Sequence, residues 1–246
     1  MTAKIEPIQK REIGLTILAI ILGDASIGFL VLGTLGVLSF PVYRDAILLP
    51  SVIVVAAIAI YTSIKSKWLG NRIVTGLWAG ALATLALEAI RVPGYAILHW
   101  LPGDDMIMMP GLFLIGMVPS FPALMQMMQS GASMQPMAIV FIVGGLYHFW
   151  NGAVMGCTYS ILVGKARWHY GLVWGFIVHI GMMLAPWLVM MFGAFGLGYA
   201  QGYNIFTMSL LAHLAWGTVL GILVQRFVKD KYSIIAKLRA RRSGLQ

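Results

Sequence analysis

Charge is what this chain has least of. One residue in ten is Asp, Glu, Lys or Arg, where a soluble domain carries roughly 25%, and 60% of the residues are hydrophobic. That balance excludes an ordinary water-soluble globule and points to a polytopic membrane protein. Acidic residues are scarcer still, eight against seventeen Lys and Arg. The basic excess does not signal nucleic acid, because the cations sit in short clusters between apolar runs and in the tails, which is how a topology signal is distributed. Cysteine is nearly missing: Cys157 is the single thiol, which rules out an internal disulfide and any metal cluster built from Cys alone. Missing too are a Gly-x4-Gly-Lys-Ser/Thr loop, a Gly-x-Gly-x-x-Gly turn, a His-Glu-x-x-His pair and a Gly-x-Ser-x-Gly elbow, the local devices of nucleotide, zinc-peptidase and serine-hydrolase chemistry. With no large soluble segment, any chemistry belongs inside the membrane or to partner subunits.

What is present is a series of seven apolar stretches, 14–40, 46–64, 73–101, 106–128, 137–163, 171–200 and 205–228. Each is near or above the ~20 residues that a spanning helix needs. The first follows Lys4, Lys10 and Arg11 without a small-residue cleavage site, and reads as a retained span. Further basic residues follow the second stretch (Lys65, Lys67, Arg72), the fifth (Lys165, Arg167) and the last (Arg226 to Arg242), whereas Asp104 and Asp105 follow the third. Seven crossings would put Lys65 and Lys165 on opposite sides of the membrane, against the positive-inside rule. The fourth stretch is the one to demote, since it contains Pro110, Gly111, Gly116, Pro119 and Pro122, and each interior proline removes a backbone donor and costs about 3 kcal/mol in a helix. The expected architecture is a single all-α membrane domain over 1–246. It has six spans, a re-entrant or interfacial broken segment at 106–128, both termini on the cytoplasmic side of the cell membrane, and a basic tail at 229–246 lying on anionic lipid.

An internal repeat fits this topology. Leu146 opens LYHFWNGAVMG and Leu211 opens LAHLAWGTVLG, which share His-x3-Gly-x3-Gly; GLWAG at Gly76 matches GLVWG at Gly171. Residues 71–163 and 166–228 thus read as two hairpins of the same direction, the first carrying the proline-rich insertion.

The repeat also sets depth. His148 lies seventeen residues from Lys165, His213 sixteen from Lys229, Glu88 sixteen from Arg72 and Met183 sixteen from Arg167, which puts all four in one layer roughly 24–26 Å along their helices from the basic end. Arg91 is one turn beyond Glu88 on the same face. Asp24, Asn151 and His179 are the other polar residues at membrane depth.

Imidazoles, a carboxylate and a thioether are ligands for copper, iron or zinc. His148, His213, Glu88 and Met183 are therefore candidate metal ligands. Alternatively His148 and His213 are axial ligands of a haem b, with Gly152 and Gly217 leaving room for the macrocycle and Arg91 pairing with a propionate. Met106, Met108, Met109, Met125, Met127, Met128, Met134 and Met137 beside Asp104 and Asp105 suggest a place to collect Cu(I).

Three functional readings follow. The leading one is a membrane subunit of a larger redox assembly, with a His-centred metal or haem b site in the outer half of the bilayer serving electron transport. The second is a small-solute or ion transporter whose path is lined by Asp24, Glu88, Arg91 and the histidines, with the proline-broken segment as an outer gate. The third is a structural scaffold in which the glycines at four-residue spacing are helix contact surfaces. The bilayer and other membrane subunits are the expected partners in each.

Overall fold

The computed structural model describes residues 6–100, 105–130, 138–198 and 202–242. Among these the chain is all helical: α1 (Lys10–Gly23), α2 (Ala25–Thr34), α3 (Phe40–Tyr43) running through a π-helical turn (Arg44–Leu48) into α4 (Leu49–Lys65), α5 (Lys67–Ala96), α6 (Asp105–Ile115), α7 (Phe121–Gln129), α8 (Ala138–Leu162), α9 (His169–Met183), α10 (Pro186–Phe192), a 3-10 turn (Ala194–Gly196), α11 (Gly202–Phe227) and α12 (Ile234–Arg242). Four helices, Phe40–Lys65, Lys67–Ala96, Ala138–Leu162 and Gly202–Phe227, are long and apolar enough to cross a membrane, and two bent pairs bring the number of candidate spans up to six. Those bent pairs are α1 with α2, turned by 41°, and α9 with the helical segment Pro186–Gly196, turned by 61°.

Each bend has a local cause. At the second, Pro186 begins α10 and brings no N–H to continue the ladder of α9. At the first, Asp24 stands between the two helices, and polar side chains gather on the backbone around it. Ser26 Oγ donates to Gly23 O at 3.2 Å, Tyr43 Oη to Ala25 O at 3.0 Å and Tyr147 Oη to Ser26 O at 2.5 Å. Of these acceptors, Gly23 O belongs to the last turn of α1, where a carbonyl has no partner within its helix.

One end of the molecule collects most of the basic residues. Glu12, near the start of α1, accepts from Ser66 Oγ at 2.5 Å and Trp68 Nε1 at 2.8 Å, which pins α1 to the turn between α4 and α5. Asn71 Oδ1 accepts from Lys229 N at 2.8 Å, and Gln225 Oε1 from Trp168 N at 2.7 Å. Arg72, expected as a surface topology marker, is fully buried instead. Its guanidinium donates to Ile161 O at 2.8 Å and to the carbonyls of Asp230 and Tyr232. The carbonyl of Ile161 belongs to the last turn of α8 and has no partner within that helix, so a forked cation placed there closes the helix end. In the tail, Lys237 pairs with Asp230 at 2.8 Å and Arg241 donates to Ile8 O at 3.0 Å, which docks one side of α12 on the protein.

At the opposite end, the proline-rich segment forms α6 and α7, of eleven and nine residues. Each is too short to cross a bilayer. Gly116 takes a positive φ of 78° at the break. Phe113 of α6 stacks on Phe40 with ring centroids 3.7 Å apart, and Arg44 Nη1 donates to Leu114 O at 2.8 Å while its guanidinium also pairs with Asp45. Met109 is buried in this cluster, and Met108, Met125 and Met127 pack against it. Of the suggested Cu(I) collectors, Asp104, Met134 and Met137 lie outside the described residues, as do the side chains of Asp105 and Met106.

The centre is held by two helix pairs in backbone contact. Between α5 and α8, a Cβ added to Gly80 would come within 2.9 Å of Gly156 Cα, and one on Gly156 within 2.6 Å of Gly80 Cα. Between α9 and α11, a Cβ on Gly171 would lie 2.7 Å from Gly221 Cα, and one on Gly217 would lie 3.1 Å from Gly175 Cα. Lipid supplies no hydrophobic drive between helices, so close approach of small residues is what such contacts rest on. Gly80→Val and Gly217→Val should therefore each lower stability by about 1–3 kcal/mol, the usual effect of overpacking. Gly145→Ala, where a Cβ meets nothing within 4 Å, should leave the melting temperature in detergent unchanged or raised; equal losses at all three positions would refute the contact assignment.

Candidate functional site

The expected layer is divided between two clusters. Glu88 on α5 and His148 on α8 do meet, with His148 Nε2 2.8 Å from Glu88 Oε1, although the ring is turned so that its N–H does not point along that line. Arg91, one turn along α5, grips the same carboxylate: Nε lies 3.0 and 3.1 Å from its two oxygens and Nη2 2.5 Å from Oε2. The guanidinium also lies over the Tyr95 ring, 5.4 Å from its centroid. The fork geometry is what makes Arg suited to a carboxylate in a dry setting.

His213 takes different partners. Its Nδ1 lies 2.7 Å from the carbonyl of Ser209 on the preceding turn of α11, and a carbonyl only accepts, so Nδ1 carries a proton. Ser209 Oγ lies 3.0 Å from His179 Nδ1, and the two imidazole centroids are 5.8 Å apart. His179 thus joins His213 through a shared hydroxyl. In the repeat alignment the residue matching Glu88 is Met183, but Met183 is buried in the cluster that holds Trp187 and Leu188. The partner for the second histidine comes from one helical turn earlier, at His179.

Among the described residues no three His, Cys, Asp or Glu side chains converge as a metal ion requires. The space beside the two glycines expected to flank a macrocycle is filled: a Cβ on Gly152 would overlap Thr84 Oγ1, and one on Gly217 would overlap Gly171 O. These glycines serve helix contact.

Both clusters border a cavity of about 540 Å³. Its wall is drawn from α2, α5, α8, α9, α10 and α11, and both bends contribute to it, through Asp24 at one and Leu184, Ala185 and Pro186 at the other. Arg91, His148 and His213 line it, with Asn151, Trp174, Trp187 and Trp216. Much of the wall is apolar, and a few polar groups stand out on it, which is the composition of small-molecule sites. Composition alone does not single out Trp174 or Trp187 as wall residues, since aromatic residues in membrane helices are common. The proline at 186, which bends the helix there, was the available signal.

Comparison with family models, with characterised proteins and with solved structures returns no match for this chain. The site's chemistry therefore rests on its own geometry.

Glu88→Gln leaves the Arg91 guanidinium, 7% exposed, facing a neutral amide. Breaking one side of such a pair should lower stability by about 3 kcal/mol. The double variant Glu88→Gln with Arg91→Met should recover part of that loss, because no charge is then left unmatched. Thermal melts of the two single variants and the double variant check it; strictly additive effects would show that the pair is not coupled.

Proposed function

We propose that this is a multi-pass membrane protein that takes a small solute into a cavity within the bilayer and carries it across. In this reading six helical crossings leave both termini on the cytoplasmic side, which the clustering of basic residues at that end supports. The observation that carries the reading is the cavity itself, into which ionisable residues of different helices converge: Asp24, Arg91, His148 and His213. Ionisable side chains at membrane depth are expensive and mark solute or ion pathways. Two bent helices bordering the same cavity add to this, because discontinuous helices commonly form substrate sites in transporters and offer hinges for alternating access. The two glycine-packed pairs, α5 with α8 and α9 with α11, are the halves of a duplicated hairpin in this reading. The short helices α6 and α7 are the outer gate.

A second reading keeps the protein as a redox subunit with a haem or metal ion between His148 and His213, and the observation favouring it is that both residues line one cavity. It requires each imidazole to turn from its present partner. A Soret band or stoichiometric metal in the purified protein would favour it.

Cysteine accessibility tests the transport reading. In a Cys157→Ala background, Val178→Cys on the cavity wall should react with a small hydrophilic methanethiosulfonate in intact proteoliposomes. Val173→Cys, on the same helix but 55% exposed on its outer surface, should stay unmodified because lipid covers it. A Val178→Cys thiol no more reactive than the Val173→Cys thiol would end the reading.

A further inference from the structure

The cavity wall carries an unbalanced set of polar groups. Arg91 is matched by Glu88, so this cation and anion cancel. His213 gives its Nδ1–H to the Ser209 carbonyl. Asp24 has no such match: among the described residues its carboxylate makes neither a hydrogen bond nor an ion pair, and it lines the cavity. On the same wall three atoms are buried without a hydrogen-bond partner: Asn151 Oδ1, Trp174 Nε1 and His148 Nε2, the last lying 2.8 Å from Glu88 Oε1 but misaligned with it. A buried polar group left unmatched is unfavourable and points to something that matches it. Asp24 and Asn151 Oδ1 are acceptors, one of them an acid, and the rings of Trp174, Trp187, Trp216 and Tyr147 line the same cavity.

Building on the solute-carrying reading, we propose that the occupant is a hydrophobic organic ammonium, a protonated amine on an apolar or aromatic body, whose N–H groups are received by Asp24 and whose body lies among the tryptophans. The charge is answered by the carboxylate and by ring faces, both of which favour a cation over a neutral molecule of the same shape. An organic anion is disfavoured, because the guanidinium that would receive it is already gripped through several contacts by Glu88. A bare metal ion is disfavoured as well, since no ligand group of three converges among the described residues.

Phenylbutylamine, phenylbutanol and phenylbutyrate share an aryl chain and differ in charge, and they can be compared as protectants of Val178→Cys against the methanethiosulfonate in proteoliposomes. Phenylbutylamine should slow labelling most, and Asp24→Asn should weaken its half-protecting concentration by about tenfold or more, as loss of one partner of a desolvated charge pair does. Asp24→Asn keeps the side-chain shape, and its melting temperature and gel-filtration profile establish that the fold is kept. A second variant, Trp187→Leu, should weaken phenylbutylamine more than phenylbutanol. If Val178→Cys is labelled but phenylbutyrate or phenylbutanol protects as well as the amine, or Asp24→Asn changes nothing, the ammonium assignment fails while the cavity reading stands. If Val178→Cys is not labelled at all, the cavity reading itself fails.

Discussion

Backbone contact at glycine is the constraint on which the rest of this structure depends. Gly76 and Gly80 against Gly152 and Gly156, and Gly171 and Gly175 against Gly217 and Gly221, bring two helix pairs together without intervening side chains. In a bilayer, where apolar side chains gain nothing by leaving lipid for protein, such contact is among the few ways to fix helix register. That register decides which polar groups meet. With α5 and α8 locked at Gly80 and Gly152, Glu88, two turns along α5, reaches His148, and Arg91, one turn further, grips the same carboxylate. With α9 and α11 locked at Gly175 and Gly217, His179 reaches Ser209 and His213. The polar clusters are consequences of the glycine contacts, and the cavity lies where the two bent helices keep other elements from closing over them.

Much of the scaffold is legible in the amino-acid sequence because the length and apolar composition that let a helix cross a membrane are properties of the sequence itself. The six apolar stretches coincide with the four long helices and the two bent pairs, and the prolines of 106–128 did break that stretch into short helices. The four-residue glycine spacing, weighed there as a contact surface, corresponds to the contacts found. Equal depth correctly brought Glu88 beside His148. It did not bring Met183 or His213 to them, because depth fixes position along a helix and leaves rotation about its axis open. Rotation is set by packing, and packing turned Met183 into an apolar cluster and His213 toward its own helix.

Two other features were illegible for a related reason. Arg72 sits in a run of basic residues, and its charge is the same whether it faces water or helix carbonyls; only the fold of the tail over it distinguishes the two. The bend at Asp24 has no proline to announce it. Beside it Tyr43 and Tyr147, from other helices, donate to Ala25 O and Ser26 O, 18 and 121 residues away from them in the chain. In the sequence a lone aspartate in an apolar run is one polar residue among several; the fold is what puts it on the cavity wall with no hydrogen bond or ion pair to its carboxylate among the described residues.

The central claim is that a cavity within the bilayer is open to water and carries the uncompensated negative charge of Asp24. It is tested most directly by the rates at which methanethiosulfonates of opposite charge modify Val178→Cys, each divided by its rate at a cysteine in open solution. The account predicts a normalised preference for the cationic reagent that disappears in Asp24→Asn. Equal rates for the two reagents, or a faster anionic one, would contradict it.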